Sequence, residues 1–264
     1  MGVALVIVTF NRFETLLSTL RTLEDQTVKP DVIVVVDNGS TDGTVNRLTQ
    51  TGLSVELVQN NENLGFAAGL DLGMTHVIRK WPHLKFLWLM DDDSSPDPAA
   101  LEMLLKIRSN VPFSGLLSVT GFIDTVWKGP VPVSRYVGKA SHLFNSEFNL
   151  FRADHALIDG AIIDRDLVLK IGTPDSRFFM MCEDVEYSKR IKKAGYQIIV
   201  FDRENMMNRL HQGGGGRFTK SNLWRGYYGA RNHLLILKEY FSWKGLFGYC
   251  IRQTKYLIAS LAAK

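Results

Sequence analysis

Phe86-Leu-Trp88-Leu-Met90-Asp91-Asp92-Asp93-Ser-Ser-Pro-Asp97 is an apolar run that ends abruptly in three consecutive carboxylates. Short apolar runs bounded by turn residues suit the interior of a sheet, so Phe86–Met90 is predicted as a buried strand. Three adjacent acids repel one another, and a strand end gains no stability from collecting them. A divalent cation removes the repulsion, because hard carboxylate oxygens are preferred ligands of Mg²⁺ and Mn²⁺. Side chains alternate along an extended chain, so Asp91 and Asp93 are expected to face one ion together. The plainer reading is a solvated turn in which Asp97 caps a helix opening at Pro98.

Upstream, strand and helix signals alternate. Val3–Thr9 is a β-branched run followed by a helical pattern over Phe13–Leu23, and Val32–Val36 is a second buried strand. A helix is expected from Ser40 or Thr41 to Leu48, a third strand over Val55–Val58, and a helix over Leu64–Ile78. The run Phe86–Met90 is the fourth strand, with a helix over Pro98–Ile107. Such alternation predicts an α/β fold with a mostly parallel sheet covered by helices on both faces. Ligands of such sheets bind outside the carboxyl ends of the strands, where Asn11, Asp37 and Asp91 fall. From Leu116 to Phe151 the pattern loosens. Ala156–Ile163 and Gln197–Phe201 are expected strands, and Arg165–Ile171 and Glu183–Lys193 expected helices. The last of these has acids in its first turn, bases in its last and Gly195 as its stop.

The chain has 264 residues, 45% of them hydrophobic, enough for one large domain or a domain with an appendage. Cys182 and Cys250 match no metal or redox spacing, which suggests a reducing compartment without a disulfide. The first residues read as a strand and not as a signal peptide, and no window offers a membrane span. A cytosolic protein is expected. Charge is uneven, −5 over residues 1–202 and +9 over residues 203–264. The basic part is also aromatic, with Trp224, Tyr227, Tyr228, Tyr240, Phe241, Trp243, Phe247, Tyr249 and Tyr256. That mixture suits an anionic membrane surface or a phosphate-rich ligand. Nucleic acid is the competing partner, and an ordinary helical pair with a solvated basic face is the plainer one.

Four further motifs carry chemistry. In Asp37-Asn-Gly-Ser-Thr-Asp42, Asp37 is placed to accept a hydrogen bond from the imide N–H of a pyrimidine, although a plain capped turn has the same composition. Asn61-Glu-Asn63-Leu-Gly65-Phe-Ala-Ala-Gly69 supplies small residues at a helix N-terminus. It lacks the glycine spacing of a dinucleotide site and the Gly-Lys-Ser/Thr of a P-loop, which counts against an oxidoreductase and an ATPase. Glu183-Asp184 sets carboxylates at a helix start, where the dipole favours the ionised form that a general base needs; simple capping is the alternative. His211 precedes four glycines, Gly213–Gly216. A neutral imidazole can ligate Mn²⁺, and such a loop can close over a diphosphate.

In order and spacing, Thr9-Phe10-Asn11-Arg12, Asp37–Asp42, Asn63-Leu-Gly65, Asp91-Asp92-Asp93, Glu183-Asp184 and His211 resemble glycosyltransferase family 2 over roughly residues 1–240. The resemblance implies an inverting enzyme with a GT-A-type fold. Its nucleotide-sugar half would span residues 1–110 and its acceptor half 111–240, before a basic aromatic C-terminal helix over 241–264. It implies that Thr9, Phe10, Asn11, Arg12, Asp37, Asn63, Gly65, Asp91 and Asp92 hold the nucleotide. Asp91, Asp93 and His211 would hold Mn²⁺ or Mg²⁺, and Asp184 would be the base with Glu183 beside it. Arg217, Lys220 or Arg231 would add charge at the diphosphate. Within the family the acidic triplet under a Trp-containing strand, the bare Glu-Asp pair and Tyr227-Tyr228-x-x-Arg231-Asn232 are most similar to bacterial galactofuranosyl- and rhamnosyltransferases. Gln-x-x-Arg-Trp, the mark of processive synthases, is missing. The expected donor is UDP-galactofuranose, with dTDP-rhamnose next. The expected acceptor is a polyprenyl-diphosphate-linked glycan of cell-surface polysaccharide synthesis, met peripherally at the inner face of the membrane, without nucleic acid. A nucleotidyltransferase would need a Gly-rich basic loop after the first strand, and a membrane-associated scaffold would have no use for intact acids.

Overall fold

The computed structural model describes residues 2–111, 114–119, 122–124, 129–130, 138–203, 206–209 and 223–262. The first half runs β1 (Val3–Thr9), α1 (Phe13–Glu24), β2 (Val32–Asp37), α2 (Thr44–Thr49), β3 (Glu56–Gln59), α3 (Phe66–Lys80), β4 (Phe86–Asp91), β5 (Ser94–Pro96) and α4 (Ala100–Asn110). There follow β6 (Ser114–Val119), β7 (Phe122–Asp124), β8 (Gly129–Pro130), β9 (Ala140–Leu143), β10 (Leu150–Ala153), β11 (Ile162–Asp164) and α5 (Arg165–Ile171). The last elements are α6 (Glu183–Lys193), β12 (Gln197–Phe201), β13 (Met207–Arg209), α7 (Leu223–Glu239) and α8 (Trp243–Ala262).

One sheet, ordered β3-β2-β1-β4-β11-β6-β12-β10-β9, takes strands from both halves of the chain. The strands β3, β2, β1 and β4 are mutually parallel, and β6 pairs parallel with β12. Because β11 opposes both β4 and β6, those two point the same way, and β10 likewise opposes β12 and β9. Only β11 and β10 therefore run against the common direction. The sheet is mostly parallel, as the alternating pattern predicts, and its carboxyl ends gather on one edge. A second, smaller sheet, β5-β13-β7-β8, was not foreseen in the loose central sequence.

Alternate residues of each strand supply two cores. Leu5, Ile7, Val35, Trp88, Met90, Leu117 and Ile199 face Leu16 and Leu20 of α1 and Leu101, Leu104 and Ile107 of α4. Ala4, Val6, Val34, Val36, Leu87, Leu89, Ile198 and Val200 face Leu70 and Met74 of α3 and Tyr187 and Ile191 of α6. Each such fully buried aliphatic side chain contributes roughly 1.5–3 kcal/mol. The small residues of α3 serve this packing. A Cβ on Gly69 would lie 2.5 Å from Val8 Cγ1, and one on Gly73 would lie 2.5 Å from Val6 Cγ1.

Several boundaries differ from expectation, among them the helix expected over Pro98–Ile107, which runs Ala100–Asn110. The helix expected from Ser40 or Thr41 begins at Thr44, because Gly43 takes a φ of 82° and Asp42 accepts hydrogen bonds from the Thr44 N–H and hydroxyl. The helix expected from Leu64 begins at Phe66, after Gly65 at φ 87°. The strand expected over Ala156–Ile163 is confined to Ile162–Asp164. An Asp159-Gly160 turn precedes it, and the Gly160 φ of 78° breaks the extended run.

Candidate active site at the carboxyl ends of the strands

Arg12 organises the acidic triplet. It follows β1, and its Nη1 donates to Asp92 Oδ1 at 2.8 Å and to Asp93 Oδ2 at 3.2 Å. Thr9 donates its hydroxyl to Asp92 Oδ2 at 2.7 Å, and Thr19 of α1 donates to the Asp92 carbonyl. Burial outweighs this compensation and holds the Asp92 carboxyl up at about 6, while the two acids raise the Arg12 guanidinium. Charge compensation for Asp92 and Asp93 comes from a guanidinium of the protein itself. The strand ends at Asp91 and the next two residues turn, so the alternation that would set Asp91 and Asp93 side by side does not apply.

The ends of β1 and β2 are tied together. Asn11, at a φ of 53° that asparagine tolerates, receives the Thr41 N–H on its side-chain oxygen, and its own N–H donates to Ser40 Oγ. Asp37 is buried; its Oδ2 accepts the Ser40 N–H, and its Oδ1 is buried without a hydrogen-bond partner among the described residues. Phe10 is exposed beside them. Asn38, which the sequence reading passed over, is the hub of this corner. Its amide donates to Asn63 Oδ1 and the Gly65 carbonyl, and its oxygen accepts from Asn60 and the Leu64 N–H. Asn63 and Gly65 thus have structural work. A Cβ on Gly65 would lie 2.0 Å from the Phe179 carbonyl oxygen, so this glycine admits protein backbone.

On the other side of the triplet, the segment 158–161 connects β4 to α6. Trp88 Nε1 donates to the Gly160 carbonyl, and Leu89 exchanges backbone hydrogen bonds with Gly160 and Ala161. Asp159 is buried and accepts from the Asp91 N–H at 2.9 Å and from the Ser94 hydroxyl. One residue earlier, the Ile158 N–H donates to Asp184 Oδ1 at 2.7 Å. Asp159 was missed because it was read inside a strand; its Asp-Gly pair was the available signal. Glu183, next to Asp184, is buried with Oε2 unpartnered, and burial, then the Asp184 charge, raises its carboxyl well above the usual range. Neighbouring acids in unlike settings suit unlike protonation states.

The turn before α6 is strained, with Met181 and Cys182 at φ 67° and 70°. Asn232 of α7, fully buried, holds it by donating to the carbonyls of Met180 at 2.8 Å and Met181 at 2.7 Å. Phe179 stacks on Tyr228, and Arg231 donates to the Arg177 carbonyl, so Arg231 is engaged with protein. Asn232→Ala should cost about 2 kcal/mol of stability, at roughly 1 kcal/mol per net hydrogen bond. Turnover should fall while donor affinity holds. Thermal melts with separate kcat and KM values check this, and unchanged turnover would make the pair of bonds dispensable.

His211, Gly213–Gly216, Arg217 and Lys220 lie outside the described residues. Among the described residues no group of three or more His, Cys, Asp or Glu side chains could hold a metal. A Mg²⁺-like ion is commonly held by one or two carboxylates plus substrate phosphates, so the hard oxygens of Asp91 and Asp93 still fit such an ion. A separate cavity of about 670 Å³, lined by residues including Lys85, Arg108 and Arg165, opens where β4 begins, away from this edge.

The mostly parallel sheet, with acids at its carboxyl edge and a carboxylate-bearing helix beside it, has the GT-A-type arrangement. The model for "Glycosyl transferase family 2" matches residues 4–164, and the chain belongs to that family. It is 28% identical over 203 residues to "Galactofuranosyltransferase GlfT1" of Mycolicibacterium smegmatis, covering 73% of this chain and 66% of the relative. It is 24% identical over 223 residues to "N-acetylglucosaminyl-diphospho-decaprenol L-rhamnosyltransferase" of Mycobacterium tuberculosis, covering 74% and 72%. The match spans about two thirds of the length of these curated relatives. The crystal structure of GalNAc-T7 with UDP, GalNAc and Mn²⁺ superposes with a TM-score of 0.65 at 13% identity, covering 90% of this chain and 48% of that one. No helix among the described residues is long and apolar enough to cross a membrane.

Proposed function

We propose that the protein is an inverting glycosyltransferase that moves a sugar from a pyrimidine nucleotide to a lipid-linked glycan, at the inner membrane face, in cell-envelope polysaccharide synthesis. The observation that carries the donor class is Asp37 Oδ1, a buried carboxylate oxygen at the end of β2 without a partner among the described residues. An unpaired buried acceptor is costly, and the imide N–H of uracil or thymine supplies the donor it lacks. Guanine presents a larger and different edge. UDP-galactofuranose is the first choice of donor and dTDP-rhamnose the second, because the relatives are named for those two sugars. The lipid-linked acceptor rests on the diphospho-decaprenol in the name of the rhamnosyltransferase relative.

In the reaction, Asp184 accepts the proton of the acceptor hydroxyl as that oxygen attacks the anomeric carbon from the face opposite the leaving diphosphate. Ile158 aims the carboxylate, and Asn232 fixes the turn that carries it. Arg12 holds Asp92 and Asp93 in place, and Asn11 shapes the nucleotide edge. Asp91 and Asp93, with His211, would hold Mn²⁺ or Mg²⁺, which when bound offsets charge on the leaving diphosphate.

Titration of UDP, dTDP and GDP with and without chelator tests the reading. UDP and dTDP should bind within about tenfold of each other, since a methyl is worth ~1–3 kcal/mol in a pocket. GDP should be weakest by at least about tenfold, and chelator should weaken the diphosphates but not free uridine. Preferential GDP binding would overturn the base assignment, and full turnover in excess chelator would remove the metal.

A further inference from the structure

We infer that the outward face of α8 is a membrane-docking surface that lies in the headgroup region of an anionic bilayer. The inference rests on the lipid-linked acceptor proposed above and assigns the surface that meets the lipid. Trp243, Phe247, Ile251, Leu257, Ile258 and Leu261 are all exposed, Trp243 at 77% and Phe247 at 70%. At 100° per residue these six fall within about 120° of arc, an apolar stripe with Thr254 as its one exposed polar interruption among the described residues, on a helix about 30 Å long. Isolated exposed apolar residues are ordinary, but a stripe along a whole helix marks an interaction surface.

Charge indicates the occupant. The helix carries Lys244, Arg252 and Lys255 and no acid. Lys244 and Lys255 are exposed along one margin of the stripe, where their stems can run along apolar surface and leave their ammonium groups among phosphates. A second copy of the chain is a poorer occupant. Two such stripes packed together would bring lysines to lysines, with no acid in either helix to answer them. Trp243 at the helix start suits the boundary between water and lipid. The helix is too polar on its inner side to span a bilayer, so it lies on the surface.

The inner side of α8 reaches the catalytic region. Gly229 of α7 sits under Tyr256, whose hydroxyl would be 3.0 Å from a Cβ placed there, and Met181 Cε lies 3.5 Å from the same point. A docked α8 therefore packs behind the turn that presents Asp184. It keeps the base close to the surface from which a diphosphate-linked glycan projects.

The test is co-sedimentation of the full chain with vesicles of equimolar phosphatidylglycerol and phosphatidylcholine, and with phosphatidylcholine alone, at low and high salt. Wild type should pellet with the anionic vesicles and less so as salt rises. The double variant Phe247→Glu/Ile258→Glu, altered only on the exposed stripe, should bind at least about tenfold more weakly while keeping its melting temperature and its turnover on a short soluble acceptor. Cys250 is exposed on the stripe and Cys182 is half-buried, so an environment-sensitive dye on Cys250 should shift to the blue with anionic vesicles. Wild type left in the supernatant, or equal pelleting of the double variant, would overturn the inference. So would a wild-type dimer that the double variant converts to monomer, which would assign the stripe to self-association. No donor or acceptor is present in the binding assay, so its failure leaves the transfer reading standing. A wild type that pellets with the vesicles but transfers no sugar would count against the transfer reading alone.

Discussion

Asp184→Asn is expected to lower turnover by about 10²–10⁴-fold while leaving nucleotide affinity nearly unchanged, because the carboxylate meets the acceptor hydroxyl and not the nucleotide. The fold should survive. Asn keeps an oxygen for the Ile158 N–H. Glu183→Gln provides the contrast. Burial holds Glu183 in its neutral form, which glutamine imitates in size and charge, so its turnover should fall far less. The two also differ in stability. A carboxyl whose pKa is higher in the folded than in the unfolded chain favours folding while it is protonated. That contribution is lost as pH rises from the ordinary carboxylate range through the raised value. Glu183→Gln should therefore flatten the decline in melting temperature over that interval. Calorimetric donor binding and turnover on one preparation decide the roles. More than about a tenth of wild-type turnover in Asp184→Asn would remove it as the base.

Arg12→Met is expected to destabilise the fold by about 3 kcal/mol at neutral pH, since it leaves the buried Asp92 and its neighbour Asp93 without their cation. Methionine preserves much of the stem, so the loss reports the charge. Arg12→Lys should recover only part of it, because an ammonium cannot reproduce the fixed fork of the guanidinium. Donor binding should weaken in both variants, as the triplet loses its shape. Denaturant unfolding is the measurement. A midpoint equal to wild type would mean that Asp92 is adequately held by Thr9 and Thr19 alone.

Much of the architecture could be read along the chain because it depends on local periodicity. Short apolar runs alternating with amphipathic stretches identified β1, β2 and β4 and the helices between them. Arg165–Ile171, Glu183–Lys193 and Gln197–Phe201 stand in the structure at the expected limits. Residues 116–151 were illegible by the same logic. Their short strands take most of their stabilisation from partners distant in sequence, as β10 does from β12, and local pattern has no access to that.

The sequence by itself determined which strand ends carry acids, and that Asn11, Asp37 and the triplet fall on one edge of a parallel sheet. Strand direction follows from the alternation of elements, and direction decides the edge. Partnership was decided only by the tertiary structure. Asp92 and Asp93 belong to Arg12, about eighty residues away in the chain. Asp159 ties the triplet's strand towards Asp184, and Gly65 makes room for Phe179. A side chain's charge is written in the sequence. The group that satisfies it depends on which distant segments meet, and only packing brings Arg12 within hydrogen-bonding distance of Asp92 or places Asp37 Oδ1 where no donor of the described residues reaches it.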